Sequence, residues 1–208
     1  PDPVSLKSHI GARYPKLKAI WQILRYKPKH GRYFTPEGSP HLHFTESIND
    51  LLQGYIKKHT SSKMTHEPKF LDVGGAGGRD SIRDWAREAQ YYLLDIDPAA
   101  SGPEVMIGDI CDCPQIVDSS FDIIFSDNVF EHIAEPWKAS REIGRILRPG
   151  GIRLTKTVFS WRYHPVPQDY WRFSHSALAL LFEKYAGLKT LDFGYNDKVR
   201  RSNFCGGK

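Results

Sequence analysis

The sequence predicts one α/β domain on a doubly wound, mostly parallel sheet, preceded by a helical extension. Three observations predict it. From Lys69 onward short apolar runs alternate with helical segments, a glycine-rich turn follows the first run, and polar residues gather at the ends of successive runs. At 208 residues and 40% hydrophobic, the chain suffices for one such domain with a full core and is short for two.

The extension comes first. Pro15 opens a basic amphipathic helix in which Leu17, Ile20, Trp21 and Leu24 recur at helical spacing while Lys16, Lys18, Gln22 and Arg25 take other positions. Packing on the domain with its lysines in water is favoured over membrane or nucleic-acid docking. Residues 27–44, rich in Pro, Gly, His and aromatics without a period, read as a loop folded over a pocket. A second helix begins near Thr45, whose hydroxyl caps the first turn, with Ile48, Leu51, Leu52, Tyr55 and Ile56 as its apolar stripe. Residues 57–68 form a polar linker. Residues 1–68 are therefore expected to be a helical extension that roofs an acceptor pocket, and 69–208 the ligand-binding domain.

The expected strands are Phe70–Val73, Tyr91–Asp95, Glu104–Ile107, Phe121–Ser126, Ile152–Val158 and Leu188–Phe193, with helices near 79–89, 136–147 and 174–186. After Asn196 only Asp197 to Lys208 remain, too short and polar for an evident further strand, so the chain is expected to stop before a seventh. There is no internal repeat.

Charge and cysteines narrow the classes. Of the net +5, residues 1–68 carry eleven Lys and Arg against five Asp and Glu, leaving the remainder near neutral. A basic first third suits an anionic acceptor, a nucleic acid or a membrane surface, and equally suits solvated helix faces. No stretch approaches the roughly 18–20 apolar residues of a membrane span, and the chain reads as soluble and cytoplasmic. Its start at Pro1 suggests a trimmed or processed chain. Cys111, Cys113 and Cys205 form no even disulfide framework, and Cys111-Asp112-Cys113 lacks the two-residue spacing of zinc and redox motifs. His41-Leu42-His43 has strand-like spacing but no evident third ligand. No metal is expected.

In doubly wound sheets ligands bind beyond the carboxyl ends of the strands. The first run leads into Asp72-Val73-Gly74-Gly75-Ala76-Gly77-Gly78, where glycines let the backbone turn sharply and approach a ligand. A carboxylate at Asp72 would repel a pyrophosphate, yet suits a ligand carrying an ammonium and a sulfonium. Asp95 ends the second run, seventeen positions past Gly78, placed to accept hydrogen bonds from two ribose hydroxyls; Asp97 competes for that role, and a capped turn is the plain alternative. Asp109 closes the third run, placed to accept an adenine amine while Ile110 packs on the ring. The fourth run ends in Ser126-Asp127-Asn128.

These motifs resemble the class I S-adenosylmethionine-dependent methyltransferases over about residues 69–194. FLDVGGAGG is similar to their first motif, LLDIDP to their acidic motif, GDI to their adenine motif, SFDIIFSDNVFEHI to their fourth-strand motif, and ILRPGGIRLTKTVF to the turn into their fifth strand. The resemblance implies a Rossmann-like class I methyltransferase fold with S-adenosyl-L-methionine as cofactor. It assigns Asp72, Gly74, Ala76 and Gly78 to the methionine end, Asp95 to the ribose, Asp109 with Ile110 to adenine, and Ser126 and Asp127 to the pocket wall, with Gly75 and Ile96 also expected to be cofactor-binding. Ala76 departs from the family, standing where it usually has its middle glycine.

Methyl transfer from a sulfonium is an in-line displacement, so the protein mainly aligns donor and acceptor, and an oxygen acceptor must also lose a proton. The loop after the fourth run supplies Glu131-His132, and that after the fifth supplies Trp161 through Ser174. Its HPVPQDYWRFS stretch resembles methyltransferases associated with polysaccharide and glycan biosynthesis, implying O-methylation of a saccharide or related hydroxyl. Trp161 and Tyr170 offer flat faces for a sugar ring, Arg172 or Arg162 is placed to hold a carboxylate or phosphate, and Asp169 is expected to contact the substrate with them. Tyr170, Trp171 and Phe173 are equally well explained by packing. His164 is placed ahead of His132 as the base, with hydrogen bonding or packing the alternative for each. Two rivals stand beside this reading: an RNA methyltransferase, favoured by the basic first third but without a recognisable RNA-binding module, and a non-catalytic relative, favoured by Ala76 and the expected missing strand.

Overall fold

The computed structural model describes residues 66–75, 86, 89–196 and 201–208. Within them are strands β1 (Lys69–Val73), β2 (Gln90–Asp95), β3 (Val105–Ile107), β4 (Phe121–Asp127), β5 (Leu147–Val158), β6 (Lys189–Asn196) and β7 (Arg201–Gly207). A 3-10 turn spans Phe130–His132, and helices α1 (Pro136–Ile146) and α2 (His175–Ala186) follow β4 and β5. The strands form one sheet in the order β3-β2-β1-β4-β5-β7-β6. β1 to β5 pair in parallel, and β7 runs antiparallel to both β5 and β6. Strand order reverses between β1 and β4, the place where such sheets open a crevice.

The two strands at that switch point are covered on both faces. Phe70–Val73 of β1 and Phe121–Ser126 of β4 are all buried, as strands inside a parallel sheet require. Alternation sends neighbouring residues to different cores. Leu71, Val73 and Ile124 join Phe130, Ile143, Phe182 and Phe204 in the larger core, while Phe70, Ile123 and Phe125 join Leu154 and Cys205 in a smaller one. Below the strands, Asp122 Oδ2 accepts from the Lys69 N–H and from Arg148 Nη1, each at 2.8 Å.

Local chemistry sets the helix ends. Pro136 opens the first turn of α1, where its missing N–H costs nothing. The Ser174 hydroxyl caps α2 by accepting from the Ala177 N–H at 3.1 Å, and Gly187, left-handed at φ 67, closes it. Arg145 of α1 ties the helix to the loop beneath β4, donating to the Ile116 carbonyl at 2.6 Å and to Asp118 and Glu142 carboxylates at 2.7 Å. That guanidinium holds the Glu142 carboxyl down at about 2.

The expectation that no seventh strand follows Asn196 is corrected by β7. Its residues Ser202 to Gly206 are buried, and it is hydrogen-bonded on both sides, between β5 and β6. A strand inserted between two others is held by backbone pairing along both edges, so Arg-Ser-Asn-Phe-Cys-Gly-Gly needs no alternating apolar pattern to stay in place. One of the two supports for a non-catalytic relative falls with it. β5 also begins earlier than the apolar pattern indicates, at Leu147, with an irregular register against Phe121 and Ile123. The extension of residues 1–65, including His41 and His43, and most of the expected helix 79–89 lie outside the described residues.

All three cysteines are free, and burial pushes each thiol up to about 12. No described helix is long and apolar enough to cross a membrane.

Where α1 meets the end of α2, the contact is backbone against backbone. A Cβ at Gly144 would stand 2.5 Å from the Ala186 carbonyl oxygen and 2.8 Å from its Cα. Gly144→Ala is therefore expected to force the helices apart and cost about 1–3 kcal/mol of stability. Denaturant unfolding checks this; an unchanged midpoint would mean the helices separate freely.

Candidate active site

The first rim residues come from the β1 turn. Asp72 is buried, and Tyr91 Oη donates to its Oδ2 at 2.9 Å. The chain passes directly over this carboxylate: a Cβ at Gly75 would stand 2.6 Å from Asp72 Cγ. Gly74, at φ 71, donates its N–H to the Leu94 carbonyl at 2.8 Å, and a Cβ there would meet Val129 Cγ2 at 2.7 Å. The turn is thus wedged between the ends of β2 and β4, and only glycine fits both positions. Ala76 and Gly78 lie outside the described residues.

Asp95 ends β2 half-buried, and its Oδ1 accepts the Asp97 N–H at 3.0 Å. Asp97 is exposed in the turn beyond, where its own Oδ1 accepts the Ala99 N–H at 2.9 Å. Ile96 between them is 66% exposed, presenting an apolar face beside the Asp95 carboxylate. Asp109 is exposed and accepts the Cys111 N–H at 2.8 Å. Ile110, which the sequence assigns to an adenine ring, is 5% exposed and packs into the larger core.

At the end of β4, Ser126 is buried and its hydroxyl accepts from Arg153 Nη2, while Asp127 pairs with Lys156 Nζ at 2.5 Å. Arg153 is a residue that sequence reasoning misses. It is fully buried in β5, its guanidinium 5.4 Å and 5.5 Å from the Phe130 and Phe182 ring centres. Burial pushes it down to about 9, against the opposing pull of Asp72. The aromatic faces offset part of the cost of desolvating it.

The acceptor-side loops are stitched together by backbone. The N–H groups of Tyr170 and Trp171 donate to the Glu131 carbonyl at 2.8 and 3.2 Å, and Trp171 Nε1 donates to the Ile133 carbonyl at 2.8 Å. This brings together two histidines that lie far apart in sequence. The His132 and His164 ring centres are 4.9 Å apart, edge to face. His164 Nδ1 stands 3.0 Å from Asp169 Oδ2, and His132 Nδ1 stands 2.5 Å from the Gln168 carbonyl. Glu131 is buried between them and the sheet; its Oε2 accepts from Thr157 Oγ1 at 2.5 Å, and its Oε1 is 3.9 Å from His164 Nε2. Thr157 and Gln168 were not singled out as site residues by the sequence, and Glu131 was noted only as the neighbour of His132, since only the folded loops bring them to the histidines.

Arg172 is placed differently from expectation. It grips Asp169 through two parallel bonds of 2.5 and 2.7 Å and donates to the carbonyls of Trp161, Arg162 and Trp171. Its five donors are engaged within the loop, so it organises the segment rather than reaching for an acceptor anion. The guanidinium holds the Asp169 carboxyl far below the usual carboxylate range. The aromatics separate as well. Phe173 is in the core, Trp171 sits at its edge, and Tyr170 is 51% exposed. Trp161 is exposed, with the Arg201 guanidinium 4.7 Å from its ring centre.

Residues 71–155 match the family model for a methyltransferase domain. An uncharacterized methyltransferase of Mycobacterium sp. (strain KMS) is 34% identical over 98 residues, covering 43% of this chain. The chain spans 38% of that relative's length. Two solved structures share the fold. A SAM-dependent methyltransferase from Aquifex aeolicus superposes with a TM-score of 0.56 at 17% identity, covering 74% of this chain and 88% of its own. The 1,6-didemethyltoxoflavin-N1-methyltransferase of Burkholderia thailandensis, solved with 1,6-didemethyltoxoflavin and S-adenosylhomocysteine, superposes with 0.58 at 15% identity, covering 98% and 87%. The domain is of the class I methyltransferase fold, and the cofactor of such domains is S-adenosylmethionine.

The cradle at Gly75 and Asp72 gives the first test of cofactor binding. Gly75→Ala displaces the carboxylate, and overpacking of about 1–3 kcal/mol is expected to weaken S-adenosylhomocysteine binding roughly five- to hundredfold. Calorimetric titration measures it, and native affinity in the variant would remove Asp72 from the site. Asp95→Ala is expected to lose about 1–3 kcal/mol of the same binding through its ribose hydrogen bonds. Undiminished binding there would mean that Asp97, or no carboxylate, has that role.

Proposed function

We propose that this chain is an S-adenosylmethionine-dependent methyltransferase that O-methylates a saccharide or another small hydroxyl acceptor. The observation that carries this reading is the meeting of two sets of groups on one rim. The glycine turn over Asp72, with Asp95, lies at the ends of β1 and β2, and the paired histidines with Asp169 lie just beyond β4 and β5.

When bound, the cofactor supplies a methyl group already activated on a sulfonium. The chain's work is to hold, orient and take up a proton. Asp72, Gly74 and Gly75 receive the methionine end, joined by Ala76 and Gly78, and Asp95 receives the ribose hydroxyls. Asp109 borders the adenine, Ile96 lies beside the Asp95 carboxylate, and Ser126 and Asp127 form the wall. His164 accepts the acceptor hydroxyl's proton at Nε2, because its Nδ1 faces the Asp169 carboxylate, which orients the ring. His132, edge-on to it, is the neighbouring candidate. Trp161 and Tyr170 offer exposed faces for a sugar ring, and the Asp169–Arg172 clamp positions the loop that carries them.

Incubation with labelled S-adenosylmethionine and a panel of sugars, nucleotide sugars and RNA tests the reading. Label is expected in a saccharide hydroxyl. Label in RNA, with binding that falls steeply as salt rises, would favour the RNA reading that the basic first third suggests. No thermal stabilisation by S-adenosylmethionine or S-adenosylhomocysteine would favour a non-catalytic relative. His164→Ala is expected to lower kcat by about 10²–10⁴ while leaving S-adenosylhomocysteine affinity near native; equal loss of both would make the residue structural.

A further inference from the structure

We infer that Glu131, His132 and His164 form a site for a divalent first-row transition cation of the zinc type. Their ligand atoms all lie within 4.8 Å of one another, and no other described group of His, Cys, Asp and Glu meets that condition. Two imidazole nitrogens and one carboxylate oxygen are a donor set that suits zinc and its neighbours better than magnesium or calcium, which prefer oxygen alone. Tetrahedral bonds of about 2.0–2.1 Å put ligand atoms about 3.4 Å apart, and Glu131 Oε1 and His164 Nε2 stand at 3.9 Å. A shift of a few tenths of an ångström per side chain closes that pair, and at most about 0.7 Å per side chain closes the widest separation, which lies within 4.8 Å.

The independent support is the way each ligand is held from behind. The Gln168 carbonyl and the Asp169 carboxylate can only accept, so His132 and His164 each carry their proton on Nδ1. In the neutral imidazoles that leaves Nε2 with a free lone pair. Glu131 follows the same pattern. One oxygen accepts from Thr157, and the other, in a fully buried side chain, makes no hydrogen bond and faces His164 Nε2. A buried carboxylate oxygen without a donor is costly and demands a positive partner. Three ligands, each braced by a carbonyl, a carboxylate or a hydroxyl on its far atom, are how metal-binding side chains are oriented. Three protein ligands would leave a further coordination position open, as in catalytic rather than structural sites. Its place beyond β4 and β5 sets the cation on the acceptor side, where with the ion bound His164 Nε2 would be a ligand and the ion, in place of that nitrogen, would lower the hydroxyl's proton affinity; that role rests on the proposed function, whereas binding of the ion does not.

The test uses the full chain, stripped with a chelator and titrated with Zn²⁺, with bound metal counted by mass spectrometry. One Zn²⁺ per chain is expected, undisplaced by excess Mg²⁺. His132→Ala and His164→Ala should each weaken it at least tenfold, and Asp169→Asn about 10–100-fold through the lost brace. S-adenosylhomocysteine affinity reports that each variant is folded. Absence of Zn²⁺ binding, or binding that persists in the double variant His132→Ala/His164→Ala, overturns the proposal. Should the variants fail to fold, Co²⁺ in the unaltered chain decides: a nitrogen and oxygen spectrum supports the site, and sulfur-to-cobalt charge-transfer bands overturn it. Zn²⁺ bound without S-adenosylhomocysteine would sink the methyltransferase reading alone, and the converse would sink the metal site alone.

Discussion

The arrangement depends on the level register of the parallel strands. Val73 pairs with Leu94 on one side and Ser126 on the other, Ser126 pairs with Thr155, and Asp95 with Ile107. Each residue advances a strand by about 3.3 Å, so a register slip of one or two residues would put these ends on different levels. Because the ends are level, residues one or two positions past each pairing meet on one rim. Gly74 and Gly75 follow β1, Asp95 ends β2, Asp127 ends β4 and Thr157 nearly ends β5. The chemistry of the molecule is a consequence of this alignment, since no helix is needed to bring those groups together.

The same rim carries an unusual burden of buried polarity. Asp72, Ser126, Glu131, Arg153, Thr155 and Thr157 are all inaccessible to solvent. A buried charge without compensation costs several kcal/mol, so each must be matched. Arg153 is met in part by the Ser126 hydroxyl and by two aromatic faces, its Nε and Nη1 making no hydrogen bond, and Asp72 is met by the Tyr91 hydroxyl and the attraction of Arg153. Glu131 has only half of its capacity met by Thr157. Unmet polarity is therefore shared between the Arg153 guanidinium in β5 and the Glu131 carboxylate where the loops after β4 and β5 join.

Much of the sheet was legible because its central strands must be apolar on both faces, and β1 and β4 are. The strand ends Asp72 and Asp95 were legible because a carboxylate closing such a run is chemically odd. β7 was not, because Ser, Asn, Cys and Gly carry little strand signal when pairing along both edges decides the outcome. Arg153 was hidden for a related reason: a single arginine in a strand reads as its exposed face, and only the Phe130 and Phe182 rings reveal it as core. His132 and His164 were visible as candidates, but their meeting depends on the Glu131 carbonyl accepting from Tyr170 and Trp171, a backbone contact with no side-chain signature.

The acceptor loop shows how side-chain chemistry replaces regular secondary structure. Residues 161–174 contain no helix or strand, and a chain of that length left free would lose about 1–2 kcal/mol of conformational entropy per residue on ordering. The Arg172 fork on Asp169, with three carbonyls gathered on the same guanidinium, pins the two ends of the segment together. The Phe173 N–H, donating to the Val158 carbonyl at 3.0 Å, returns it to the sheet. With its cation and carboxylate engaged in each other, this loop has no free charge at residues 169 and 172 to offer an acceptor. What it offers instead is exposed ring surface at Trp161, Tyr163 and Tyr170. Such surface discriminates by stacking against an apolar ring face rather than by charge, so in the proposed reaction the histidines attend to the reacting hydroxyl while the aromatics select the ring that bears it.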